Sequence, residues 1–120
     1  DKLSVIRPKD AGIWLKMGHA ALGASAPKRA AACAHRALAI KSGWKDAIAL
    51  LGSAQYVKGD YTTSIKSFEK IRTDEKHSCF AWLMTGKAYH QINQHEKAAA
   101  AFKRAETLDP EYRLLSFMNK

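Results

Sequence analysis

The chain has 120 residues, of which 47% are hydrophobic and 26% are charged, and its formal net charge is +9. This length supports one core and excludes two independent domains. No run of about 18 consecutive apolar residues is present, which excludes a membrane-spanning helix in this segment. Two cysteines are too few to staple a secreted fold, so we expect a reducing compartment, the cytoplasm.

The positive charge is concentrated in the first part of the chain. No acidic residue lies between Asp10 and Asp46. The unopposed bases of this stretch are Lys16, Lys28, Arg29, Arg36, Lys41 and Lys45. They could face an acidic protein segment or nucleic acid, but a solvated outer helix face is the commoner explanation of such a pattern. Base-stacking aromatic residues are not interleaved with them, which argues against nucleic acid.

Apolar residues recur at helical spacing throughout, which predicts an all-α protein. Residues 1–10 are expected to be the end of a preceding helix and a connector. Residues 11–44 follow as a helical hairpin, whose second helix begins at Pro27, where the missing N–H costs nothing. The Ser42-Gly43 pair ends that helix.

Two further hairpins are predicted at residues 45–78 and 79–112. Gly59-Asp60 forms the turn of the first of these, with Asp60 as a helix N-cap. Residues 113–120 are expected to begin a helix that caps the last exposed apolar face. Because there is no initiator Met, we expect the chain to be a fragment of a longer protein.

A shift of 34 residues superimposes three copies of one pattern. The matched sets are Trp14, Ile48 and Trp82; Gly18, Gly52 and Gly86; Ala30, Ser64 and Ala98; Ala34, Phe68 and Phe102; and Ala37, Ile71 and Ala105. Small residues let two helices approach closely, while large apolar side chains fill the space around them. The pattern resembles the tetratricopeptide repeat (TPR) family.

The resemblance implies a right-handed TPR superhelix of antiparallel helical hairpins, which acts as a non-catalytic scaffold. The first helix of each hairpin would line a concave groove that binds a helix or an extended apolar peptide. The implied groove residues are Leu15, Lys16, His19, Leu22, Leu50, Ser53, Tyr56, Val57, Phe80, Leu83, Met84, Lys87 and His90. Lys16 and Lys87 would select acidic flanks of the partner. The alternative is that this apolar set is only packing.

Other functions of TPR proteins and of histidine or cysteine clusters fit less well. Chaperone-binding members hold a C-terminal carboxylate with Lys, Asn and Arg. The corresponding positions here are Leu15, His19, Leu50, Phe80 and Met84, which argues against that ligand. No histidine or cysteine pair has zinc-type spacing, so we predict no metal, no cofactor and no catalysis. A second hypothesis is a regulatory or targeting segment of a larger enzyme or signalling protein.

Overall fold

The computed structural model describes residues 9–109, and these residues form six α-helices and no strand. The helices are α1 (Ala11–Gly23), α2 (Pro27–Ile40), α3 (Lys45–Lys58), α4 (Tyr61–Glu69), α5 (Ser78–Gln91) and α6 (His95–Leu108). The all-α prediction is therefore confirmed. The helix end predicted before residue 9 and the capping helix predicted at 113–120 lie outside the described residues.

Local sequence explains where the helices begin and end. The Asp10 carboxylate accepts a hydrogen bond from the Gly12 N–H at 2.8 Å and caps α1. Pro27 occupies the first turn of α2. Gly59 ends α3 with a φ of 95°, a left-handed conformation that favours glycine. Asp60 occupies the predicted N-cap position of α4, but its side chain makes no capping hydrogen bond.

The helices pack in chain order, and the first helices of the hairpins also contact one another. Thus α1 contacts α3 and α3 contacts α5, whereas the described second helices α2, α4 and α6 do not contact each other. The array is elongated, with principal dimensions of 47 × 26 × 22 Å. Because the first helices lie closer together, they form the inner surface of a curved array and the second helices form the outer one.

The glycines in register mark the closest helix approaches. A Cβ at Gly86 would lie 2.8 Å from the Phe102 ring, and one at Gly52 would lie 2.8 Å from the Phe68 ring. The second helix of each of these two hairpins therefore places its aromatic ring directly on the glycine of the first helix. Such contacts require glycine, since a methyl group would overlap the ring.

In the first hairpin the space beside the glycine is filled by a residue of another hairpin. Ala34 stands where the other copies have phenylalanine, and the space beside Gly18 is filled by the side chain of Leu50 from α3. Leu50 is fully buried and clusters with Ala34 and Leu51. The core of the first hairpin is thus completed by the second hairpin.

Polar residues at repeat positions that usually hold apolar ones have hydrogen-bond partners. The Ser64 hydroxyl donates to the Gly52 carbonyl at 2.8 Å, and the Ser67 hydroxyl donates to Gln55 Oε1 at 2.6 Å. The Thr85 hydroxyl donates to the carbonyl four residues earlier at 2.7 Å. Among the described residues, no buried side-chain nitrogen or oxygen lacks a partner. These replacements therefore leave no unpaired polar group in the core.

Candidate interaction surfaces

The inner surface is formed by α1, α3 and α5, the helices to which the predicted groove residues belong. Most of those side chains are partly or fully exposed: Leu15, Lys16, His19, Leu22, Ser53, Tyr56, Val57, Phe80, Leu83, Lys87 and His90. Their environments differ, however. An inner group lies on α3 and α5 and consists of Tyr56, Phe80, Leu83 and Lys87. Lys16 lies on the end face of the array, and Val57 and His90 form an edge group where the hairpins turn.

The inner group is centred on Tyr56 of α3. The Lys87 ammonium of α5 lies 5.6 Å from the centroid of the Tyr56 ring. Gln91 Nε2 donates to the Tyr56 hydroxyl at 3.5 Å, and the Tyr61 ring meets Tyr56 edge-on at 5.3 Å. Lys87 forms no ion pair with any residue of 9–109. The side chains of α3 and α5 therefore form one continuous aromatic and cationic surface.

Phe80 extends this surface toward the beginning of α5. Its ring lies 5.7 Å from the Phe68 ring in an edge-on arrangement, and 36% of the residue is exposed. One side of the ring thus belongs to the core and the other remains accessible. Leu83, one turn further along α5, is half-buried.

Two predicted groove residues are corrected by their burial. Leu50 is 0% exposed and Met84 is 8% exposed. Each packs against the second helix of the preceding hairpin, Leu50 on Ala34 and Met84 on Phe68. Lys16 occupies the equivalent position of α1, so it lies on the end face of the array, and its exposure reflects that no described helix precedes α1. Leu50 and Met84 are therefore core residues and do not belong to the accessible groove, whereas the role of Lys16 stays a prediction.

Val57 and His90 lie at the edge where the hairpins turn. Val57 is 53% exposed and lines a cleft with Pro27 from the first hairpin turn. His90 meets His95 across the turn of the third hairpin, with 3.1 Å between their Nδ1 atoms. Neither residue contributes to the Tyr56 surface through a contact observed in residues 9–109.

A charged cluster at the junction of the second and third hairpins was not found by sequence reasoning. His77 Nε2 lies 2.6 Å from Asp46 Oδ1, and its Nδ1 lies 2.6 Å from Asp74 Oδ2. Lys76 pairs with Asp46 at 3.3 Å and Lys45 with Asp74 at 3.2 Å. The contact between Asp46 and His77 spans 31 residues, a separation for which the sequence carries no signal.

The cluster acts as a brace between hairpins. Burial raises the pKa of Asp46, but hydrogen bonds from His77 and Lys76 outweigh it, so the pKa lies below its usual value. The hydrogen bond with His77 lowers the pKa of Asp74. Burial raises this pKa in part, and the neighbouring Lys45 ammonium lowers it further. With a side chain only 12% exposed, His77 is poorly placed to meet a partner.

The two thiols are free and lie in environments that disfavour thiolate. Burial raises the pKa of Cys33, which Arg29 opposes only in part. Burial also raises the pKa of Cys79, and the Asp109 carboxylate adds to the effect. Because the thiolate is the nucleophile, neither environment activates the cysteine.

Residues 9–109 lack two features that mark other classes of protein. They contain no group of three or more His, Cys, Asp or Glu side chains arranged to hold a metal ion. In the same part of the chain, no helix has the length and apolarity needed to cross a membrane.

Comparison with known proteins agrees with this architecture. Residues 79–112 match the family model of the tetratricopeptide repeat. A crystal structure of MamA superimposes with a TM-score of 0.79 at 19% identity, covering 90% of this chain and 63% of that one. A second MamA structure gives 0.78 at 22% identity, with 93% and 61% covered. The chain thus spans under two thirds of the MamA chains. No curated protein matches the sequence. The described chain therefore has a TPR-like all-α repeat fold, and its residues 79–112 match the tetratricopeptide repeat family.

Proposed function

We propose that this chain is a non-catalytic scaffold that binds a peptide or helix of a partner protein along the inner surface of α1, α3 and α5. TPR-like repeats are protein-interaction scaffolds, and the specific mode of binding is the part we propose. The revised set of contact residues is Leu15, His19, Leu22, Ser53, Tyr56, Phe80, Leu83 and Lys87. We also propose a cytoplasmic location, since both cysteines are free.

The observation that carries the proposal is the contact of Tyr56 with Lys87 across the boundary between α3 and α5. It supports one binding surface that runs across two hairpins. Phe80 and Leu83 add apolar area beside it. Apolar area buried against a partner contributes about 25 cal/mol per Å², from which the costs of association are subtracted.

The charge of this surface favours an acidic residue in the partner. Lys87 is half-buried and is paired only with an aromatic ring among the described residues. A partner carboxylate near Tyr56 would gain a charge-assisted hydrogen bond from the Lys87 ammonium. The expected ligand is therefore an amphipathic helix or an extended apolar segment with an acidic flank.

The proposal is tested by selecting peptides from a displayed random library on the 120-residue chain and measuring their affinity by fluorescence anisotropy. Leu83→Ser and Lys87→Glu are each expected to weaken the selected peptides by about tenfold, which corresponds to about 1.4 kcal/mol. Lys103→Glu is the matched control, because it makes the same charge change on the exposed surface of the outer helix α6.

Circular dichroism checks that each variant keeps its helices. Binding that both Leu83→Ser and Lys87→Glu leave unchanged would contradict the proposed surface. An equal loss in the Lys103→Glu variant would show that overall charge, and not the inner surface, selects the peptides.

A further inference from the structure

A second surface lies at the edge of the array, away from the Tyr56 surface. The turn of the first hairpin and the end of α3 enclose an open cleft. Its floor is apolar and includes Ala26, Pro27 and Val57, and its rim carries Lys28, Arg29 and Lys58. Val57 is 53% exposed, so its side chain is accessible to a ligand in the cleft.

The next copy provides an internal comparison, because the same positions recur 34 residues later. Tyr61, Thr62 and Thr63 replace Pro27, Lys28 and Arg29, while Gln91 and Ile92 replace Val57 and Lys58. Tyr61 packs on Tyr56, and Gln91 bonds to the same tyrosine. The equivalent edge of the second hairpin carries Lys58 and Asp60 at the positions of Ala24 and Ala26, and these two form an ion pair with each other. It has no counterpart of Lys28, Arg29 or the base at position 58, and its Tyr61 and Gln91 are engaged in internal contacts. The cationic rim is a property of the first cleft and not of the repeat.

The rim charges have few counterions within the chain. Among the described residues, Lys28 and Arg29 form no ion pair, and Lys58 pairs with Asp60 at 3.5 Å with both side chains about half exposed. Such an exposed pair contributes little and exchanges readily. The first turn of α2 also lacks an acidic residue and a side-chain cap, so the positive end of the helix dipole is uncompensated.

From this combination we infer that the cleft docks an acidic segment of a partner protein. An apolar side chain of that segment packs on Pro27 and Val57. Carboxylates on either side of it pair with Lys28, Arg29 and Lys58. Charge complementarity selects an acidic ligand, and the apolar floor selects a peptide over a bare anion. This inference concerns an edge of the array and does not depend on the proposed inner surface.

The test is a nuclear magnetic resonance titration of the 120-residue chain with two peptides blocked at both termini. One has the sequence DELDE and the other the uncharged sequence SQLSQ. The acidic peptide is expected to give saturable amide shifts at residues 24–26, 28, 29, 57 and 58, and the uncharged one to bind at least about fivefold more weakly. Raising the salt from about 50 to 500 mM should weaken the acidic peptide several-fold, because exposed charges are screened.

Variants separate the cleft from overall charge. Lys28→Glu with Arg29→Glu is expected to weaken the acidic peptide about tenfold, and Val57→Ser about threefold. Lys66→Glu with Lys70→Glu makes the same charge change at exposed positions outside the cleft and should leave at least half of the affinity.

Three results would overturn the inference. The first is that the acidic peptide shifts other residues, or none. The second is that Lys28→Glu with Arg29→Glu binds it as tightly as the unchanged chain does. The third is that inorganic phosphate gives the same shifts at the same concentration, which would show a general anion effect. A Lys87→Glu variant that still binds the acidic peptide distinguishes this cleft from the inner surface.

Discussion

The first and third hairpins have the same glycine at the same position and surround it differently. Gly86 is covered by Phe102 of its own hairpin, whereas Gly18 is covered by Leu50 of the next one. The alanine-rich helix α2 lacks the aromatic ring, with Ala34 in its place. The third hairpin therefore supplies its own central contact, and the first depends on its neighbour for it.

The junctions between hairpins differ as well. The second junction has the brace of Asp46, Asp74 and His77, whereas the corresponding residues of the first junction are Gly12, Ile40 and Gly43, none of which is charged. The first and second hairpins are therefore coupled by apolar packing through Leu50, and the second and third by charge as well as packing. Repeat arrays owe their stability to such neighbour contacts, and here the two contacts differ in kind.

The largest effect is expected from Leu50→Ala. The residue is fully buried, so truncation leaves a cavity and should lower the free energy of unfolding by about 2–5 kcal/mol. Urea denaturation measures this loss. Hydrogen exchange should show that amides in α1 and α2 lose more protection than those in α5 and α6.

Val57→Ala is the control for Leu50→Ala, because Val57 is 53% exposed and should change the unfolding free energy by less than about 0.5 kcal/mol. Equal loss of protection in all three hairpins would refute the dependence of the first hairpin on Leu50. Leu50 variants also report on folding and not on partner binding, since the side chain has no accessible surface.

A smaller effect is expected from Gly86→Ala. The new methyl group would lie 2.8 Å from the Phe102 ring, and the overlap should exceed the gain in helix propensity, for a net loss of about 1 kcal/mol. Gly23→Ala is the matched control, because a methyl group there would have no atom within 4 Å and only the propensity gain remains. Thermal or urea unfolding should give opposite signs for the two substitutions, and the same sign would contradict the packing described for Gly86.

The smallest effect concerns the charged brace. Some carboxyl groups have a lower pKa in the folded state than in the unfolded state. Such a group stabilises the fold at every pH above its unfolded-state pKa, and this contribution is lost as the pH falls through its folded-state pKa. The pKa values of Asp46 and Asp74 are lowered from 3.8, so their contribution is present at pH 7 and pH 5 and is lost below about pH 4.

Asp46→Asn should therefore lower the unfolding free energy at pH 7 by about 0.5 kcal/mol and reduce the further loss between pH 5 and pH 3. Urea denaturation at pH 7, 5 and 3 measures both changes. The control is Glu69→Gln, which removes an exposed carboxyl group outside the brace. A variant with the same pH dependence as the unchanged chain would show that Asp46 does not take part in the brace.

The 34-residue register predicted the fold through its resemblance to the TPR family. Gly18, Gly52 and Gly86 recur with small and aromatic residues at fixed distances, and this recurrence predicted helical hairpins. Helix formation and the packing of a hairpin both depend on contacts that are local in sequence. The turn at Gly59 was likewise readable, since its left-handed conformation favours glycine.

The groove assignment was only partly predictable, because an apolar residue on a first helix can face either a ligand or the preceding hairpin. Leu50 and Met84 face the preceding hairpin, and Phe80 and Leu83 remain accessible, although all four are large and apolar. Residue type cannot separate the two cases. The separation depends on how each first helix is rotated against its neighbours.

The sequence by itself determined the helical class, the repeat and the basic character of the first hairpin. The first and last of these depend on residues that are close together in the chain, and the repeat is visible from the recurrence of one pattern every 34 residues. Tertiary structure alone decided that Leu50 completes the first hairpin, that His77 joins Asp46 and Asp74, and that Val57 lies beside Lys28 and Arg29. These features join side chains from different hairpins, and their meeting depends on the stacking geometry of the array.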